Sequence, residues 1–247
     1  MEKYVLVTGA SSGIGKSVAI SLSENYPVIL HGRNLDRLNE VRNICSLHNK
    51  CLVWQEDLVQ VEKVEEHLQH FLLENEVIIE GYVHCAGLMK MLPLRSQSLI
   101  NVQQTFNTNV VSAMLITKVL SSKKWNKGGL RSIVYISSNI SNRGAKAFNV
   151  YASSKGALDA FMRSMAVELA PNVRVNSILP GAVLTDMTTD IFANKEVEER
   201  MKATYPLGFG YPQDIADGVK FLLSEQSRWI TGQQLVIDGG RTVDITG

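Results

Sequence analysis

Short apolar runs alternate along this chain with longer stretches whose apolar residues recur every three or four positions. The runs are Tyr4–Val7, Val28–Leu30, Cys51–Trp54, Gly81–His84, Ser132–Ser137, Val173–Leu179 and Gln234–Ile237, and they predict about seven strands. The stretches between them predict helices. Such alternation argues for a parallel sheet covered by helices on both faces, because parallel neighbours need crossovers and those crossovers are helical. The clearest helix is YASSKGALDAFMRSMAVELA, residues 151–170, with Ala157, Leu158, Phe161, Met162, Met165 and Leu169 at helical spacing and Pro171 just beyond its end. That stripe faces either a core or a second subunit. No internal repeat, low-complexity tract or linker interrupts the pattern, so residues 1–247 are expected to form a single domain.

Composition narrows the function classes. At 247 residues, 45% hydrophobic and 20% charged, the chain can bury a full core without staples. Twenty-five Lys and Arg against 24 Asp and Glu give a formal charge of +1 with no long run of either sign, so neither nucleic acid nor a membrane surface is an expected partner. No stretch has the ~20 apolar residues a membrane span needs, and the N-terminal apolar run is too short for a signal-peptide core. A cytoplasmic protein is expected. Cys45, Cys51 and Cys85 are odd in number and lack metal-ligand spacing, which points to reduced thiols and to no metal site.

The first strand runs directly into TGASSGIG, residues 8–15, and then into a helix over Ile14–Tyr26. In such a turn Gly9 permits the tight bend, while Gly13 and Gly15 let backbone and ligand approach closely. The helix N-terminus then offers free N–H groups and a positive dipole end to a pyrophosphate. Further along, Tyr151 and Lys155 stand four apart on one helix, which puts both side chains on one face. A phenol titrating near pH 10 is a poor acid at neutrality, and a neighbouring ammonium favours the phenolate, so Lys155 is expected to tune Tyr151.

With these motifs in order, the chain resembles the short-chain dehydrogenase/reductase family from residue 4 to about residue 240. The resemblance implies a Rossmann-type doubly wound α/β domain, with TGxxxGxG as the nucleotide loop; Ser11, Ser12 and Ile14 belong to that loop. It implies that Ser138, thirteen residues before Tyr151, holds the substrate oxygen beside the phenol, the family spacing selecting it over Ser137. Asn109 in FNTNV matches the position that anchors a water relaying protons toward Lys155, the cofactor ribose and Tyr151. HCAG, residues 84–87, stands where relatives carry NNAG, with Ala86 and Gly87 giving backbone access to the cofactor; His84 and Cys85 depart from the pattern, and His84 reads as structural. In PGAVLTDM, residues 180–187, Pro180, Gly181 and Val183 are implied to lie against the nicotinamide, with Thr185 near its carboxamide or the phosphates. Asp57 is implied to meet the adenine amino group, with Leu58 supplying backbone; an ordinary helix N-cap is the alternative for Asp57.

In this fold the tip of the second strand faces the adenosine ribose, and VILHGR, residues 28–33, ends there in Arg33 with no carboxylate. A guanidinium beside a 2′-phosphate makes two charge-assisted hydrogen bonds, which favours NADP(H) over NAD(H). The expected activity is hydride transfer between nicotinamide and a carbonyl or secondary alcohol, with Asn109, Ser138, Tyr151 and Lys155 catalytic.

The substrate is less defined. A polar segment at about 188–206 is expected to be a lid. Leu88, Met89, Met91 and Leu92 are candidates for an apolar wall, and Arg143 and Lys146 for an anion contact. Relatives that reduce 3-oxoacyl groups on acyl carrier protein carry basic residues at the site entrance; Lys127, Arg131 and Arg174 keep that partner open, while Gly129 and Asn172 stand where cations would be looked for. Two other readings remain: a non-catalytic nucleotide-binding regulatory protein, and an NAD-linked sugar-nucleotide epimerase or dehydratase. The resemblance also implies a homo-oligomer, a tetramer or dimer, built through the Tyr151 helix and the last strand.

Overall fold

The structure, a computed structural model, describes residues 2–45, 47, 49–189 and 195–244. Seven strands form one parallel sheet in the order β3-β2-β1-β4-β5-β6-β7. They are β1 (Lys3–Thr8), β2 (Val28–Gly32), β3 (Cys51–Gln55), β4 (Ile78–His84), β5 (Ser132–Ile136), β6 (Arg174–Pro180) and β7 (Gln234–Ile237). All seven apolar runs are strands, within one to three residues at their ends.

Helices α1 (Gly13–Ser23), α2 (Leu35–Cys45), α3 (Val61–Glu74), α4 (Leu99–Phe106), α5 (Ser112–Ser121), α6 (Lys123–Asn126) and α7 (Asn149–Glu168) follow in chain order. A single π-helical stretch, Asn107–Val111, joins α4 to α5. Helices α8 (Lys195–Lys202) and α9 (Pro212–Leu223) complete the described elements. Among the described residues no helix is long and apolar enough to cross a membrane.

The sheet is buried on both faces, and period-two alternation sorts its side chains into two cores. On β1, Tyr4 and Leu6 join Trp54, Tyr82, Ile116, Tyr135, Leu158 and Met162 beneath α3, α5 and α7. Val5 and Val7 point the other way, to Val18, Leu22, Leu38, Ile178, Val219 and Leu222 beneath α1, α2 and α9. The chain reverses direction across the sheet between β1 and β4, and ligands in doubly wound sheets bind outside the strand C-termini at that point. The ends of β1, β2, β4, β5 and β6 therefore converge on one site.

Candidate active site

A cleft of about 680 Å³ opens at these strand ends. Its walls include Gly9, Ser11, Ser12, Gly13, Ile14, Gly15, Arg33, Asp57, Leu58, Ala86, Gly87, Tyr151, Lys155, Pro180, Gly181, Val183 and Thr185, every residue that the sequence singles out for the cofactor.

The glycine loop is dictated by close backbone contact. Gly9 has φ +66° and lies so near Ala86 that a Cβ would sit 2.9 Å from its Cα; Gly13 has φ +52° and packs on Thr185. A Cβ at Gly15 would collide with the Gly9 carbonyl. Gly15 thus packs its backbone against the loop while still lining the cleft. The N-cap of α1, Ser12, makes no side-chain capping bond, and the first turn holds no acid. Its N–H groups therefore suit an anion.

Arg33 is exposed at the tip of β2, with no ion pair among the described residues, and its carbonyl accepts from Gln55 Nε2 at 2.9 Å. Asp57 lines the cleft while its Oδ1 accepts the Val59 N–H at 3.1 Å, so it closes a turn ahead of α3 instead of capping that helix, whose N-cap is Gln60. These groups fit a dinucleotide lying from the β2 tip across the α1 N-terminus to Pro180–Val183.

His84 and Cys85 replace the usual asparagines with a different network. His84 Nδ1 lies 3.0 Å from Thr8 Oγ1 and 2.8 Å from the Tyr82 hydroxyl, and Thr8 Oγ1 accepts the Ala86 N–H at 3.2 Å. The nucleotide loop is thereby tied to the Ala86–Gly87 segment. Burial lowers the His84 pKa to about 3, so the ring is neutral, and burial raises the Cys85 thiol to about 12. His84 is structural, as the sequence suggests.

Ser138, Tyr151 and Lys155 meet in the middle of the cleft. The Ser138 hydroxyl, which accepts the Ile140 N–H at 3.4 Å, lies beside the Tyr151 phenol and acts to lower its pKa. Ser137, the other candidate, is buried and donates to the Lys155 carbonyl at 3.4 Å. Lys155 is 3% exposed; its ammonium donates to the Ile136 carbonyl at 2.7 Å and sits 5.6 Å from the Tyr151 ring centroid. Burial lowers its pKa to about 8, with Asp159 and Cys85 pulling the other way.

Burial also pushes Tyr151 up to about 12, and the only opposing influence is Ser138. Desolvation is the largest influence on the phenol, so its pKa lies above the ordinary value rather than below it. Asn109 lies behind the wall, in the π-helical stretch. Its Oδ1 accepts the Leu88 N–H at 2.7 Å, and its Nδ2 donates to the Leu88 carbonyl and to Ser154 Oγ. Its side chain therefore fixes Leu88 and α7.

Several cleft residues escaped the sequence reading. His31, Thr108, Asn139, Phe148, Arg200, Tyr205 and Arg241 all line it. Of the lid segment, 190–194 lie outside the described residues, and Met187, Thr188, Arg200, Met201, Thr204 and Tyr205 border the cleft. Arg131 and Arg174 belong elsewhere: they flank the N-terminal ends of β5 and β6, the opposite edge of the sheet from Ser138. Arg174 bonds the carbonyls of Leu222, Leu223 and Ser224, and Arg131 those of Gly128 and Leu130.

The fold and the convergent Ser138, Tyr151 and Lys155 define a nicotinamide-dependent oxidoreductase of carbonyl and alcohol compounds. Residues 9–242 match the family described as enoyl-(acyl carrier protein) reductase, and the chain belongs to the short-chain dehydrogenase/reductases. It is 32% identical to an L-xylulose reductase of Caenorhabditis elegans, over 97% of this chain and 95% of that one. It is 35% identical to a Homo sapiens 3-oxoacyl-[acyl-carrier-protein] reductase, over 97% and 98%. A 4-hydroxyisoleucine dehydrogenase complexed with NADH superposes with a TM-score of 0.90 at 29% identity, covering 98% of this chain and 99% of that one.

Proposed function

We propose that the protein is an NADP(H)-dependent carbonyl reductase, one domain over 1–247, in which Ser138, Tyr151, Lys155 and Asn109 are the working residues. The observation that carries this reading is the convergence of Ser138, Tyr151 and Lys155 on one cleft, with the Lys155 ammonium 5.6 Å from the Tyr151 ring centroid. The bound nicotinamide supplies or accepts the hydride. Ser138 donates a hydrogen bond to the substrate oxygen, orienting it and favouring the charge that develops there. Tyr151, with its pKa raised to about 12, is a phenol throughout the neutral range and holds the proton that the oxygen takes up on reduction. Lys155, anchored on Ile136 O, keeps a cation beneath the phenol, and Asn109 fixes the neighbouring Leu88 backbone.

The preference for NADP(H) over NAD(H) is supported by Arg33, an exposed guanidinium at the β2 tip with no carboxylate beside it at that tip. Three free thiols, Cys45, Cys51 and Cys85, favour a cytoplasmic, reducing setting. Trp229, 90% exposed next to β7, and Val167, 81% exposed on α7, favour association through the last strand and the Tyr151 helix into a homodimer or tetramer. Reduction of 3-oxoacyl groups on acyl carrier protein draws support from the likeness to oxoacyl reductases, but not from Arg131 or Arg174, which cap backbone carbonyls at the far edge.

Parallel titration of the purified protein with NADPH and NADH, following the thermal midpoint, tests the cofactor reading, since a ligand binding only the folded state raises stability by RT ln(1 + [L]/Kd). A larger shift with NADPH is expected. A larger shift with NADH contradicts the role of Arg33, and no shift with either favours a protein that performs no hydride transfer.

A further inference from the structure

Besides Arg33, two guanidinium groups, Arg241 and Arg200, line the cleft. We propose that the substrate carries an oxyanion, a carboxylate or a phosphate, on the same molecule as its carbonyl or hydroxyl, and that Arg241 together with Arg200 receives it. This deepens the hydride-transfer reading above and rests on it.

Arg241 is held in place by a turn built around Asp238. Asp238 Oδ1 accepts the Gly240 N–H at 3.1 Å, and Oδ2 accepts the Thr242 N–H at 2.9 Å. Gly239 and Gly240 supply the positive φ values, +61° and +85°, that such a turn needs. Asn139, the residue after Ser138, donates to Asp238 Oδ2 at 3.3 Å, and Arg143 donates to the Arg241 carbonyl at 3.3 Å. The turn is therefore fastened to the loop that bears Ser138.

The Arg241 guanidinium lies 6.0 Å from the Tyr205 ring centroid, and the Tyr205 hydroxyl accepts the Ala182 N–H at 3.1 Å. A Cβ at Gly181 would lie 2.9 Å from the Tyr205 ring, so the ring rests on the Pro180–Ala182 segment. Arg241 thus projects between the serine loop and the segment that the nicotinamide reading uses. Arg200 approaches from α8, on the same helical stretch as Met201.

No carboxylate neutralises the pair among the described residues. Both Asp238 oxygens serve its turn and Asn139. Asp186, another acid bordering the cleft, is exposed and lies 4.0 Å from Arg37, toward the Arg33 side. Asp57 is at the adenosine end. Arg174, which holds the fold together, spends its guanidinium on the carbonyls of Leu222, Leu223 and Ser224 and on the Ser227 hydroxyl. The Arg241 and Arg200 guanidiniums donate no hydrogen bond to any described residue. A planar, permanently charged fork without an acceptor, at the wall of a cleft, matches a carboxylate or phosphate. Leu88, Met89 and Phe148, the last beside Tyr151, give the same cleft apolar lining that suits a short carbon chain.

The test measures NADPH-dependent initial rates on a ladder of short oxo acids, with the ketone two to five carbons along, against their methyl esters, and on dihydroxyacetone phosphate against dihydroxyacetone. At least one acid, or the phosphate, is expected to exceed its neutral counterpart in kcat/KM by about tenfold or more, chiefly through KM. Which series responds separates carboxylate from phosphate. Arg241→Gln is expected to remove most of that preference while the NADPH Kd, read by fluorescence titration, stays within about twofold. Turnover of the neutral compounds with equal or poorer turnover of every anion overturns the inference and leaves the carbonyl-reductase reading standing. Turnover of neither series defeats both. Loss of NADPH affinity in Arg241→Gln with the preference intact assigns Arg241 to the cofactor and also overturns it.

Discussion

At the end of the cleft that faces Arg33, shape is set by backbone: Gly9 and Gly13 take positive φ, Gly15 is pressed against the Gly9 carbonyl, and Ala86 lies against the loop. At the opposite end, shape is set by side chains from separate segments. Asn139, Tyr205 and Arg241 are brought together by the turn that follows β7, and Arg200 from α8 lines the same cleft. The first end can hold the same group in any chain that keeps the glycines. The second can be rewritten one side chain at a time without disturbing the sheet, which is why one fold serves many substrates.

The comparison can be broken in graded steps. Ser138→Ala sits where the two ends meet and removes a donor to the substrate oxygen. A fall in kcat/KM of about a hundredfold to a thousandfold is expected, with NADPH affinity unchanged, as measured by initial rates and fluorescence titration. Arg33→Ala touches only the adenosine end; NADPH affinity is expected to fall about tenfold to a hundredfold while NADH affinity holds, read by isothermal titration.

Gly15→Ala acts on the fold of that same end. Its methyl group meets a backbone carbonyl that cannot rotate away, so a loss of about 1–3 kcal/mol and a drop of several degrees in the thermal midpoint are expected. The pH dependence is the mildest lever. Tyr151 stays protonated up to about 12, so the proton donor is never lacking near neutrality. Lys155, lowered to about 8, loses its charge as pH rises through that value. Reduction is therefore expected to be level below about pH 8 and to fall by up to about tenfold per pH unit above it. The stability sign is opposite: between about 8 and 10.5 the unfolded lysine binds more proton than the folded one, so stability rises with pH over that window. Lys155→Met should remove the slope in a pH series of denaturant melts.

What the sequence made legible follows the same division. The seven strands stood out because parallel strands buried on both faces read as continuous apolar runs, and the cofactor residues because glycine spacing has few physical uses. Arg200 and Arg241 did not stand out. They are 41 positions apart, on a helix and a turn that no local pattern links, and only the Asp238 turn brings one of them beside Ser138. The depth of Tyr151 was also hidden. Spacing placed Lys155 next to it, but the burial that raises the phenol's pKa depends on how the cleft closes around both residues. At His84 the departure from the family's asparagine was visible, whereas its replacement by a Thr8–His84–Tyr82 network required the register of β1 on β4.

The most direct test of the account is Tyr151→Phe assayed twice in one preparation, for NADPH affinity and for NADPH-dependent reduction of the best carbonyl substrate. The account predicts affinity within about threefold of the wild type and turnover reduced by about a thousandfold or more, because the ring still lines the cleft but no longer holds the proton. Turnover retained within about tenfold would contradict it and remove Tyr151 from the chemistry.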